Sequence, residues 1–150
     1  SDVCSSDLCE RLGNILSLEN ATLTGSNAEL IYSKKKLTVS NGQVFTTRSD
    51  ESTSFQSVTG TLLNSRGPIS IQNSELEQVE GSGRVEIGDR SLIDTVVITT
   101  EQEHEGQLHI TGSSTVRRIL FEGAPGKVYL EDGSEAPHVQ NGQKLLVTRI

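Results

Sequence analysis

The chain has 150 residues, a formal charge of −7 and an aromatic content of only 3%, with neither Trp nor Met. That charge argues against a phosphate-tracking surface, because nucleic-acid binders need clustered Lys and Arg to displace counterions. No apolar run approaches the roughly 20 residues that span a bilayer. So few large side chains also argue against a spherical core, whereas a narrow core between closely stacked strands is filled by Val, Ile and Leu alone.

The first eight residues, Ser1 to Leu8, are what TCA GAC GTG TGC TCT TCC GAT CT, the end of a sequencing adapter, spells in frame. The segment 1–8 with its Cys4 is therefore set aside from fold reasoning, and the single domain is expected over 9–150. Cys9 is then the remaining cysteine, read as an unpaired thiol or as a lipid-attachment residue; no disulfide framework follows. Further along, Leu16 and Leu18 lead into Asn20, and Leu23-Thr24-Gly25-Ser26 closes a first coil. Lys34-Lys35-Lys36 is the one basic run, and such a run reads as a solvated loop or protected strand edge. Leu37 and Val39 precede the turn dipeptide Asn41-Gly42, Val44 to Thr47 resumes a strand, and Phe55, Val58 and Leu62/Leu63 form a less regular coil before Gly67-Pro68.

From Ile69 a clearer module begins: an apolar-x-apolar pair, a polar turn, then another pair. The pairs are Ile69/Ile71, Val85/Ile87, Val96/Ile98, Leu108/Ile110, Ile119/Phe121 and Val128/Leu130. Such alternation puts every second side chain on one face of a strand. Strands this short cannot bury that face alone, so successive copies are expected to stack. The turn markers Ser74, Ser91, Ser114 and Ser134 lie 17, 23 and 20 residues apart, an average coil of about twenty. The longest interval holds the polar excursion Glu101 to Gln107, as expected of insertions that map to loops. Nowhere does apolar spacing persist at i, i+3, i+4, i+7.

The expected class is all-β. A sandwich needs longer strands and larger core residues. Short strands, frequent turns and Ser or Asn at equivalent places favour a single parallel β-helix, or solenoid, of about seven coils, with Gly25, Gly60, Gly81, Gly83, Gly112, Gly123 and Gly126 at corners requiring positive φ. Seven coils at a spacing of about 4.8 Å make a rod about 34 Å long. Lys144 to Ile150 is expected either to add a last strand to the stack or to fold across it.

The run Ile119 to Ser134, followed by Val139-Gln-Asn-Gly142, resembles the end of β-solenoid proteins of bacterial cell envelopes. More distantly it is similar to bactofilins, polymer-forming β-helical scaffolds, from which it departs in the irregularity of its coils. The resemblance implies a fold far more than an activity.

No residue pattern identifies a reaction. His104 and His109 lie in or beside the acidic run Glu101, Glu103 and Glu105, but without a defined ligand spacing; His138 stands apart. Gly123-Ala-Pro-Gly126-Lys127 lacks the glycine spacing and the Ser or Thr of a phosphate loop and reads as a corner between Phe121 and Val128. Glu86, Asp89, Asp94 and Glu122, with Arg90, Arg117 and Arg118, are the charged groups from which a polysaccharide-cleaving site would be drawn. With Tyr32 and Tyr129 as the only tyrosines, an aromatic sugar platform is thin. The reading is therefore a non-catalytic structural or interaction solenoid of the bacterial cell envelope or surface, with no catalytic, cofactor-binding or metal-binding residues assigned. Its expected associations are through the solenoid ends, or with an envelope protein or polysaccharide, and not with nucleic acid. The alternative is a polysaccharide-active enzyme or carbohydrate-binding protein on the same scaffold. An envelope or secreted location is expected, with a cytoplasmic one as the alternative.

Overall fold

The structure, a computed structural model, describes residues 12–25, 27–99, 106–123, 126–140 and 143–150. The adapter-like segment, Cys9, and His104 with its acidic run lie outside the described residues. Two sets of parallel strands stack along one axis. The first, here the short side, runs β2 (Ala21–Thr24), the start of β4 (Leu37–Ser49), the start of β5 (Thr53–Ser65), β6 (Ile69–Gln72), β8 (Arg84–Gly88), β10 (Gln107–Ile110), β12 (Lys127–Leu130) and β15 (Leu146–Arg149). The second, the long side, runs β1 (Leu12–Ser17), β3 (Asn27–Ser33), the remainder of β4 and β5, β7 (Glu75–Ser82), β9 (Leu92–Thr99) and β11 (Thr115–Glu122). The protein is a β-solenoid of about eight turns, one more than the sequence spacing suggested. Lys144 to Ile150 supplies the last rung, because β15 pairs in parallel with β12.

The sequence pattern from Ile69 onward is borne out. All six apolar pairs point inward and are buried. The upstream half needs correction. It is the more regular half, not the fainter one: Ala21, Leu37, Thr53, Ile69 and Val85 are register partners, each sixteen residues from the next. Periodicity is hard to see there because small and polar residues occupy inward positions. Leu16 and Leu18, the pair that leads into Asn20, are each 59% exposed, while Ile15 and Ser17 face the core. On the long side two outward residues follow one another, Glu29-Leu30 in β3 and Arg117-Arg118 in β11. This breaks strict alternation and folds the long side into two facets.

Buried hydroxyls hold two corners. At the end of the long side Ser17, Ser33, Ser49 and Ser65 are stacked register partners or their neighbours in the same sixteen-residue phase, all buried. Ser33, Ser49 and Ser65 each donate to a carbonyl of the preceding turn, Glu19, Lys35 and Glu51, at 2.9, 2.6 and 2.8 Å. At the corner that follows the short side, the chain's second ladder takes over. Backbone N–H groups of Val58, Ser74, Ser91 and Ser114 donate to the Oγ atoms of Ser74, Ser91, Ser114 and Ser134, at 3.0 to 3.1 Å. Each serine thus satisfies the turn of its neighbour, which is what buried polar groups require.

That same corner carries a row of left-handed residues: Gly25, Asn41, Ser57, Asn73 and Asp89, with φ of 64, 52, 56, 47 and 55°. Asn and Asp tolerate this conformation better than most side chains, so the Asn41-Gly42 pair makes a solenoid corner instead of a hairpin. The expectation that glycines mark positive φ holds at Gly25, Gly83, Gly112 and Gly123. At Gly60, Gly81 and Gly126 the reason is close packing. A Cβ on Gly60 would lie 2.8 Å from the Val44 carbonyl oxygen, and one on Gly126 would lie 2.2 Å from the Phe121 ring.

Beyond Val85 extra residues enter at corners only. One residue is added at Asp89-Arg90 and again at Gly112-Ser113, where two successive residues take positive φ in place of one. Longer additions separate β9 from β10 and β11 from β12. The inward columns keep their phase throughout, Ile93 against Val116 and Ile87 against Ile110.

Candidate functional site

Outward residues of a stacked sheet form columns, and on the short side one column reads Thr38, Ser54, Ser70, Glu86, His109 and Tyr129. Its first three members are small. They leave a trough of about 430 Å³ walled by Lys36, Pro68 and Arg84 and ending at Glu86. The next column reads Ser40, Gln56, Gln72 and Gly88. Gly88 lacks the side chain that would continue the row, and a polar recess of about 200 Å³ opens there, lined by Ser70, Gln72, Glu86, His109 and Thr111. Ser70 and Glu86 border both hollows, so trough and recess are continuous.

Three interactions set the chemistry at this end. His109 stacks on Tyr129, its register partner, with ring centroids 4.5 Å apart and planes 15° from parallel. The other face of the imidazole therefore looks toward Glu86 and the recess. His109 Nε2 lies 3.4 Å from Gln107 Oε1. Burial, and then the Arg84 guanidinium, lower the His109 pKa below its ordinary value, with Glu86 opposing, so the ring is neutral near pH 7. Arg84 is paired with Glu86, which leaves the recess without a free carboxylate charge.

The long side carries a second depression, of about 480 Å³, over Gly60 and Leu76 with Glu75, Glu77, Asp94 and Arg117 around it. Asp94 and Arg117 are adjacent across the rungs and lie 3.8 Å apart. Earlier on this side the Tyr32 hydroxyl donates to Asp50 Oδ2 at 2.7 Å, and the Arg48 guanidinium sits 5.6 Å from the Tyr32 ring centroid. The hydrogen bond to Asp50 holds the Tyr32 phenol above its usual pKa. Arg48 and Arg66 flank Asp50 at 3.9 Å.

Of the residues singled out from sequence, Glu86 and His109 share the recess, with Tyr129 behind His109. Asp94 and Arg117 meet on the other side. Asp89 and Arg90 are corner residues with positive φ, and Arg118, Glu122 and His138 are exposed elsewhere. Gly123 and Gly126 flank the corner between Phe121 and Val128, as their sequence implied. Lys34 to Lys36 form an exposed turn, with Lys35 2.9 Å from Glu19. Among the described residues no group of three or more His, Cys, Asp or Glu is placed to hold a metal ion. None of the described helices is long and apolar enough to cross a membrane, there being no helix among the described residues. Sequence reasoning missed Ser70, Gln72, Arg84, Gly88 and Thr111. The sixteen-residue period would have aligned all but Thr111 and exposed Gly88 as the interruption. No family model, curated protein or solved structure matches the chain.

Proposed function

We propose that this chain is a non-catalytic structural or interaction β-solenoid of the bacterial cell envelope or surface, akin to the envelope solenoids and, more distantly, the bactofilins that its last coils resemble. The supporting observation is the unbroken register from Ala21 to Val85, held at sixteen residues per turn by stacked aliphatic columns and a serine ladder. Nearly every inward position in these turns serves stiffness. Main-chain hydrogen bonds between coils make a rod, and the outward columns present a regularly spaced recognition face.

Scattering from the purified chain, together with a reducing-end assay on a panel of polysaccharides, tests this. A rod-shaped particle that binds or assembles without releasing reducing ends is the expected result. Polysaccharide cleavage abolished by Glu86→Gln or Asp94→Asn would overturn it in favour of an enzyme. A carbohydrate-binding role on the same scaffold is favoured by one observation, the His109 ring face bordering a polar recess.

A further inference from the structure

The trough and recess of the short side run along the solenoid axis from Thr38 to His109, which are four rungs apart. At about 4.8 Å per rung this is about 19 Å, the scale of a short linear oligomer and not of a lone small molecule. Sugar recognition needs a flat ring to pack against the C–H face of a pyranose, together with amide, hydroxyl or carboxylate groups that exchange hydrogen bonds with paired hydroxyls. These are the groups present. The face of His109 turned away from Tyr129 borders the recess beside Glu86, and the stacking on Tyr129 favours that ring orientation. Gln72, Ser70, Thr111 and the Glu86 carboxylate line the remainder. Gly88 makes the space, and it does so at a backbone conformation that any residue adopts, since its φ is not among the positive ones. A Cβ there would meet only Thr111 Oγ1, at 3.1 Å.

Charge selects among glycans. Arg84 neutralises Glu86, His109 is held neutral, and the chain as a whole carries −7. A polyanionic glycan gains no counter-charge in the recess, meets only the Lys36 ammonium at the far end of the trough, and is repelled at long range. We propose that this trough binds a neutral glycan chain lengthwise, with one pyranose ring seated over Gly88 against His109. This goes beyond the scaffold reading and is independent of it, because neither the rod's ends nor its assembly enters the argument.

The test is titration of the full chain with cellohexaose, xylohexaose, maltohexaose, chitohexaose and hexagalacturonate, read by NMR of the His109 ring protons and by calorimetry. At least one neutral hexamer should shift the His109 resonances and bind more tightly than its own monosaccharide. Gly88→Gln, which continues the Gln56–Gln72 column into the recess, should weaken that binding at least tenfold, as should His109→Ala. Leu16→Glu, on the other side of the solenoid, should leave it unchanged. Melting temperatures measured alongside separate lost binding from lost folding, and Gly88→Gln is chosen because a glutamine column is already accommodated two rungs running. Absence of any shift with all four neutral hexamers at millimolar concentration overturns the proposal. So does full affinity in a folded Gly88→Gln variant, or tighter binding of hexagalacturonate than of every neutral hexamer.

Discussion

The side-chain amide of Gln140 occupies the place of a peptide group opposite Phe121. Its Oε1 accepts from the Phe121 N–H at 2.8 Å and its Nε2 donates to the Phe121 carbonyl at 3.1 Å. Here the last strand of the long side, β11, would otherwise offer an open edge. The clamp is reached through a single parallel bridge at Glu135 and is anchored by a small antiparallel pair, β13 (Val139–Gln140) with β14 (Gln143–Lys144). The chain then rejoins the stack as β15 on β12, and open strand edges invite pairing with other chains. We predict that Gln140→Ala lowers stability by about 1–3 kcal/mol, two buried-edge hydrogen bonds being lost. It should also raise self-association by light scattering. A destabilised variant that stays monomeric would show that the clamp serves folding alone.

With the long side's edge blocked there, association is expected at the opposite end of the stack. Leu16 and Leu18 are exposed apolar residues on the first turn described. Leu16→Glu with Leu18→Glu should suppress any concentration-dependent association while shifting stability by no more than about 0.5 kcal/mol, as for other exposed sites. Sedimentation velocity across a concentration series decides this, and unchanged association would place the contact elsewhere.

Thr53 faces the core in the column of Leu37 and Ile69, is 2% exposed, and its Oγ1 has no hydrogen-bond partner among the described residues. Replacing it with Val keeps the shape and removes an unsatisfied hydroxyl. Thr53→Val should stabilise the chain by about 1 kcal/mol or more in urea unfolding. Ser91→Ala should do the opposite. It strips the acceptor from the Ser74 N–H and should cost about 1–3 kcal/mol.

Asn73 sits at φ 47° in the row of left-handed corner residues. Asn73→Val should cost about 1–2 kcal/mol from backbone strain, whereas Asn73→Gly should be close to neutral, since glycine adopts this conformation freely. Equal losses for both would mean that the Asn73 amide, which donates to Ser57 Oγ at 3.0 Å, matters more than its backbone.

Titration of His109 gives a further measure. Its folded pKa lies below the ordinary value through burial and Arg84, so the unfolded chain binds a proton first as pH falls. Stability is therefore unaffected by this group above its ordinary pKa and is lost progressively as pH drops from there toward the folded pKa. His109→Gln should flatten that part of the stability profile, measured by denaturation between about pH 7 and pH 5. A ring-proton titration midpoint above the ordinary value would contradict the burial argument.

What could be read from sequence depended on how loudly each inward position speaks. Ile and Val in alternation announce themselves, and the coils from Ile69 onward were legible for that reason. The turns before them hold the tighter period, yet their inward places are taken by Ser17, Ser33, Thr47 and Ser49, residues that usually signal surface. Leu30 beside Ile31 shows the cost of judging by hydropathy alone, since the first is 40% exposed and the second fully buried. The recess was half legible. Glu86 and His109 drew notice as titratable groups, but their neighbour Gly88 matters through a missing side chain, visible only once rungs are aligned.

The corners that absorb extra residues separate two dimensions of this molecule. Girth is set within the strands, where removing one residue from Leu37–Ser49 would carry every later side chain of that turn to the opposite face. The longer addition between β9 and β10 leaves the rungs in phase, with Ile98 opposite Phe121 and Ile87 opposite Ile110. Height grows only in whole turns, each about 4.8 Å. Excising residues 37–52 would bring Thr53 into the register place of Leu37 and shorten the rod by one such step. Between Ala21 and Val85 the chain behaves as a ruler graduated in sixteen-residue marks.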